Sequence, residues 1–391
     1  MKRIVFPLLF AALIVVTACQ TGKVTTALNQ KDSGNIEEAV EMINQAIDPS
    51  NEKSEKTIAW PRTWEVRGEI YQSIYQSEDE SVKELAENPL NEALRSYKKA
   101  LELDEDDKFA NSVKIKMTLL TNDFTNQAVE AFNDENYERA LESFENILEI
   151  QNTDVIKQDN PNAVDTVILF NAGLAAYNSE QYDKAIEYYS EAAEYGYNGA
   201  RTYSLMANTY QLKNDTLGAL NVLKEGFEKY PNDNGILTSM IQLYLDLNKT
   251  DEAMKYLNMA IDQDPTNATF YFALGTLHEK QGNEKEAIDV YEKAIEINDD
   301  YFDAFYNLGA LYYNKGVAQI EVANAVPPNE NERYEAELEK ANVWFKKALP
   351  YMERCLVLDP EHQMTLESLK NLYYRLQMMD KYNEILDVLG E

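Results

Sequence analysis

Residues Asn267 to Asp300 read NATFYFALGTLHEKQGNEKEAIDVYEKAIEINDD, two helical patterns with a break between them. In the first pattern Tyr271, Leu274, Gly275 and His278 recur at spacings of three and four, which is one face of an α-helix. In the second, Ala287, Tyr291 and Ala294 fall at zero, four and seven. Gln281-Gly282-Asn283 separates them, and Gly and Asn accept the left-handed conformation at a helix stop. Small residues at Gly275 and Ala287 let two helix axes approach closely. The aromatics then fill the space beside them. The stretch predicts a helix hairpin.

The hairpin repeats along the chain. Ala39, Ala93, Ala140, Ala185, Ala219, Ala253, Ala287 and Ala348 each precede an aromatic or large aliphatic residue by four places. Ala185, Ala219, Ala253 and Ala287 are evenly spaced, each step being as long as the stretch from Asn267 to Asp300. A fixed period of this length means stacked hairpins rather than one globular core.

This pattern resembles the tetratricopeptide repeat, a helix-turn-helix unit of about 34 residues. Gly173, Ala207, Gly275 and Gly309 match the small residue of its first helix. Tyr210, Tyr244 and Tyr312 match its inward aromatic, and Pro231, Pro265 and Pro360 the proline that stops its second helix. Ile241, His278 and Asp299 depart from the pattern. The resemblance implies an all-α fold, a right-handed α-solenoid (superhelix) of tandem units. Units are expected to begin near Gln20, Pro61, Thr121, Thr166, Ala200, Asn234, Ala268 and Phe302. Residues 19–165 form an irregular N-terminal section with insertions, and 166–301 four regular units. Residues 302–362 form a unit carrying a 27-residue helical insertion that turns at Pro327-Pro328. Residues 363–391 form a capping helix pair with a polar outer face.

Residues 1–18 read as an export signal. Lys2 and Arg3 precede an apolar run, Ile4 to Val16, that is too short to span a bilayer as a helix. Val16-Thr17-Ala18-Cys19 resembles the bacterial lipobox, which implies lipid attachment at Cys19 and a mature N-terminus there. The chain is therefore expected to be exported and anchored by its lipid in the cell envelope, facing the periplasm. Ordinary cleavage after Ala18 would leave it soluble in the periplasm or secreted.

Without Lys2 and Arg3 the chain keeps 34 basic residues against 68 acidic ones, a net charge of −34. Such a surface repels nucleic acid and anionic lipid, so the membrane is reached only through the lipid. Asp104-Glu105-Asp106-Asp107 lacks the spacing of a calcium loop and reads as a solvated turn. Cys355 falls at the small buried position after Ala348 and reads as a packed thiol. There is no phosphate loop, nucleophile elbow or Cys/His metal cluster. No catalytic residue, metal or cofactor is expected, and the chain is read as a non-enzyme. Asp165 reads as a helix N-cap.

In tetratricopeptide arrays the first helices line a concave face that holds partner segments. Carried over, this implies a groove lined by Phe170, Asn171, Tyr177, Arg201, Asn208, Phe272, Tyr306, Asn307 and Tyr313. Amides there can bond a partner's backbone, and large aromatics exposed as one patch would call for a cover. The expected function is a protein-interaction scaffold of the cell envelope that binds a peptide or protein segment. Two other classes fit the same composition. One is a glycan-binding lipoprotein of a nutrient-uptake system, which needs an exposed aromatic platform. The other is an accessory lipoprotein of outer-membrane protein assembly.

Overall fold

A computed structural model describes residues 21–390. Residues 1–18, read as an export signal, and Cys19 lie outside the described residues. Every regular element among the described residues is helical. The chain divides into two compact units, residues 1–219 and 220–391.

Unit 1 opens with α1 over residues 21–32, followed by α2 (Ile36–Ala46) and the single-turn α3 (Glu55–Ile58). Proline occupies the first position of both α4 (Pro61–Gln76) and α6 (Pro89–Leu103), where its missing N–H costs nothing. Between them stands the short α5 (Glu80–Lys83). Next comes α7 (Ala110–Asn133), which starts well before the Thr121 expected from the register. The reason is local. Asp104 is buried, and its carboxylate accepts the backbone N–H groups of Lys108, Phe109 and Ala110 at 3.0, 2.6 and 2.9 Å. It caps the helix there rather than sitting in a solvated turn. α8 (Tyr137–Gln151) and the short α9 (Asp154–Lys157) follow.

The regular hairpins begin with α10 (Thr166–Asn178), capped by Asp165, whose carboxylate accepts from Ile168 N at 3.1 Å. α11 (Tyr182–Glu194) and α12 (Ala200–Leu212) complete the stacked helices of unit 1, and the units divide within α13 (Thr216–Lys229).

Unit 2 continues with α14 (Asn234–Asp246) and α15 (Thr250–Gln263), then α16 (Ala268–Lys280) and α17 (Glu284–Ile297). Two long helices follow, α18 (Phe302–Asn324) and α19 (Asn331–Leu358), joined through Pro327-Pro328. The last pair is α20 (Gln363–Arg375) and α21 (Met379–Leu389). Its exposed residues are mostly polar, with Met364 and Val388 each 62% exposed among them.

Two of the hairpins are locked by the same contact. A methyl group on Gly173 would lie 2.7 Å from the ring of Tyr189, and one on Gly275 2.5 Å from that of Tyr291. The two pairs have the same separation in sequence. In the extended hairpin Gly309 meets Met352 instead, and Gly316 meets the Phe345 ring at 2.5 Å. The small residue and the large one are two halves of one packing unit. The turns are equally periodic. Glu180, Asn214, Asn248 and Gly282 recur at the interval of the alanines, all with positive φ, at 61°, 60°, 55° and 77°. The left-handed residue closes each first helix.

Gly68 is the tightest of these positions. A Cβ there would stand 2.3 Å from Cε1 of Tyr97, which is fully buried and donates its hydroxyl to Gln72 Oε1 at 2.9 Å. Gly68→Ala is therefore expected to destabilise the protein by about 1–2 kcal/mol through overpacking. Urea unfolding followed by circular dichroism checks this, and an unchanged midpoint would contradict it.

Candidate partner-binding faces

The residues expected to line one groove fall in both units, and each unit presents its own first-helix face. In unit 1 Phe170 is buried at 5% exposure. Its ring packs 5.6 Å from Tyr189 and 5.4 Å from Tyr197. It belongs to the hairpin core, and its expected place in the groove is corrected on that ground. Tyr177 is half-buried with its ring 6.5 Å from Tyr182. Asn171 is half-buried, while Arg201 and Asn208 are exposed.

In unit 2 the aromatics behave like Phe170. Phe272 is half-buried, with Tyr291 and Tyr301 at centroid distances of 5.8 and 5.1 Å. Tyr306 is stacked on Phe302 at 6.1 Å and meets the edge of His362 at 5.2 Å. Tyr313 packs 5.5 Å from Phe345. Asn307 donates to the hydroxyl of Tyr291 at 3.4 Å. The expected patch of uncovered aromatics does not form, because neighbouring rings of the same chain cover them. Exposed on these first helices are polar side chains: Thr238, Gln242, Thr269, Glu279 and Asp303 in unit 2, Arg201, Asn208 and Gln211 in unit 1. Such groups keep hydrogen-bonding capacity for a partner's backbone.

A stacked aromatic series does run along α18 and α19. Tyr312 lies 6.1 Å from Trp344 and 5.8 Å from Tyr351 in near-parallel planes. Lys347 sits 4.8 Å above Trp344 and 5.6 Å above Tyr312. Cation–π contacts thus occupy the ring faces that a sugar would need.

Sequence reading missed two features. His362 accepts from Thr365 N at 3.3 Å as the N-cap of α20 and packs 4.8 Å from Phe302. The signal was available: it follows Pro360 and precedes a helical pattern. The second is a buried charged seam in unit 1. Arg62, Glu65, Glu69, Gln72 and Gln76 recur at three and four along α4. Glu65 is fully buried and accepts from Ser112 Oγ, Lys116 Nζ and, at 2.5 Å, Arg62 Nη1. Glu69 lies 3.2 Å from Lys116 and 3.1 Å from Lys31. Asp123 accepts from Gln72 and Gln76 at 2.6 and 2.8 Å. Burial works against the Glu65 carboxylate, but Lys116, Ser112 and Arg62 outweigh it and hold its pKa below the usual carboxylate range. With its charges paired across helices, the seam is built to fix how α4 and α7 meet. Cys355 is buried, and burial with nearby Asp303 pushes its thiol up to about 12, so it packs as a small neutral group. Among the described residues no group of His, Cys, Asp and Glu is placed to hold a metal ion, and no helix is long and apolar enough to cross a membrane.

The sequence family described as TPR repeat matches residues 242–282 and 280–316, and that described as tetratricopeptide repeat matches 167–195. The chain carries tetratricopeptide repeats. Residues 167–195 and 242–316 are thus tetratricopeptide repeats within an all-α chain of helical hairpins, and such repeats are a protein-interaction scaffold. Similar curated proteins include the BBSome complex member BBS4 of Bos taurus, 25% identical over 43% of this chain and 33% of that protein. The photosystem I assembly protein Ycf3 of Acaryochloris marina is 24% identical over 28% of this chain and 59% of that protein. The chain thus spans less than two thirds of the length of these relatives. Among solved structures it is similar to the C-terminal part of a TPR repeat-containing protein from Cytophaga hutchinsonii. There the identity is 14%, over 77% of this chain and 99% of that one, with a TM-score of 0.46. A TPR repeats protein from Bacteroides fragilis is 23% identical over 65% of this chain and 98% of that one, with a TM-score of 0.33.

Proposed function

We propose that the protein is a non-catalytic scaffold of the bacterial cell envelope that holds a peptide or protein segment on its first-helix faces. The observation that carries this reading is the division of side chains on those helices. Aromatics are spent on packing between helices, while Asn208, Gln211, Thr238, Gln242 and Thr269 stay open. Amides and hydroxyls suit an extended or helical backbone, whose N–H and C=O groups they can bond. The names of the curated relatives, a complex member and an assembly protein, support a role among other proteins. The reading is tested by photo-crosslinking in native envelopes from a benzoylphenylalanine at Asn208 or Gln242, which is expected to attach a second protein.

The envelope location rests on residues 1–19. Mass spectrometry of membrane-extracted protein is expected to show a diacyl- or triacyl-glycerylated Cys19 at the mature N-terminus. An unmodified N-terminus in the soluble fraction would contradict lipid anchoring and leave a soluble exported scaffold.

A further inference from the structure

The insertion in the extended hairpin creates a notch. α16 stops at Lys280, whereas α18 runs on past the equivalent Asn314 to Asn324, and α19 begins at Asn331. The overhang therefore rises beyond the turn of the preceding hairpin, with no equally long neighbour on that flank. A cavity of about 520 Å³ fills the step. Glu279, Gly282 and Glu284 line it from the turn, and Ala318, Gln319 and Val322 from the overhang, with Trp344 at its base. Val322 is 50% exposed and Val317 36%, although the overhang's inner face is packed, with Ala323, Ala341 and Phe345 fully buried. Leu311, Asn314 and Lys315 complete the lining, so apolar and polar groups share it about equally, and a step of this size can seat a partner segment.

Its charge selects the occupant. Residues 315–344 hold six glutamates against three cations. Each of those cations is already committed: Lys315 to Glu284, Arg333 to Glu330 and Lys340 to Glu337. Glu339 is paired in turn by Lys346, so the overhang's surplus carboxylates are Glu321, Glu332 and Glu335, on the same insertion as the step that Glu279 and Glu284 line. Lys315 Nζ, 5.2 Å from the Trp344 ring, and Lys347 cover that ring, which disfavours a sugar stacked on it. We propose that this notch docks an α-helical segment of a partner protein. That segment carries apolar residues at one helical face and Lys or Arg beside them, and it stands where a longer preceding hairpin would have stood.

The test uses the mature protein with Trp60→Phe and Trp64→Phe, so that Trp344 alone reports. The probes are two short helical peptides of equal length with the same leucine face, one with lysines at the remaining charged positions and one with glutamates. The leucine–lysine peptide is expected to shift Trp344 fluorescence saturably, binding at least tenfold more tightly than the leucine–glutamate peptide. Raising the salt should weaken it, because the rim charges are open to solvent. Val322→Asp separates docking from general attraction to an acidic protein. It adds negative charge, so non-specific binding of lysines would rise, whereas docking in the notch should fall at least tenfold. Val322 is half exposed, so the variant should keep its helical melt, and Val322→Ser provides a milder version expected to weaken binding less. Glu279→Gln with Glu284→Gln should weaken binding and flatten its salt dependence. Val322→Asp binding as tightly as the parent would overturn the proposal. So would equal binding of the two peptides, no Trp344 response at saturating leucine–lysine peptide, or a notch filled by a second copy of the chain, seen by sedimentation.

Discussion

Phe272→Ala combined with Tyr306→Ala is expected to lower stability by about 4 kcal/mol, about 2 from each ring, because a fully buried Phe lost to Ala costs about 3–5 kcal/mol and these rings are half-buried. Phe272 touches the rings of Tyr291 and Tyr301, and Tyr306 those of Phe302 and His362, so both substitutions open space between helices rather than at a free surface. For a unit of this size the melt should fall by roughly 10 °C. Because stability in an array is nearest-neighbour, lost amide-exchange protection should concentrate in α16 to α20. A melt that stays at the parent temperature would mean that the rings are free contact residues after all.

The second large effect is expected at the buried seam. Lys116→Met removes the ammonium from Glu65, which has no solvent exposure, and leaves it with Arg62 and Ser112. Breaking a buried pair from one side typically costs about 3–5 kcal/mol. Lys116 is 20% exposed, which reduces the expectation to about 2–3 kcal/mol. Glu65→Gln added to Lys116→Met should recover part of the loss, since the fully buried charge is then gone and Arg62 still faces Glu69 at 3.8 Å. The pH dependence has a definite sign. The folded state holds the Glu65 carboxyl below its unfolded pKa, so its contribution is present above about pH 4.3 and is lost as the pH falls through the lower folded value. Between about pH 5 and acid conditions, the parent should lose more stability than the Glu65→Gln variant. Equal acid sensitivity, measured by urea unfolding at each pH, would show that the seam carries no such linkage.

The hairpins were legible because a small residue and a ring must coincide at fixed spacing, as Gly173 with Tyr189 and Gly275 with Tyr291. Asp165 was legible because a cap acts within three residues of itself. The outward face of the first helices was not. α10 and α16 pack against their own partners and against helices of neighbouring hairpins, so apolar residues ring much of each helix and periodicity cannot rank the sides. Phe170 was misplaced for that reason. The seam was hidden differently. Glu65 and Lys116 meet across 51 residues, and in a chain with 68 acidic residues no single carboxylate announces its partner. Asp104 looks solvated in the sequence because nothing in its own neighbourhood shows that α7 would begin on its carboxylate.

A partner is expected to lie on the polar side chains left open on the first helices. Photo-crosslinking yield in native cells tests this most directly, with benzoylphenylalanine placed in turn at Asn208 and Gln242 on first helices and at Glu187 and Asn258 on second helices. All four positions are exposed, so the substitutions should leave the fold intact. Products heavier by one partner protein are expected from Asn208 and Gln242, and little or none from Glu187 and Asn258. Strong products from the second helices, with none from the first, would contradict the account.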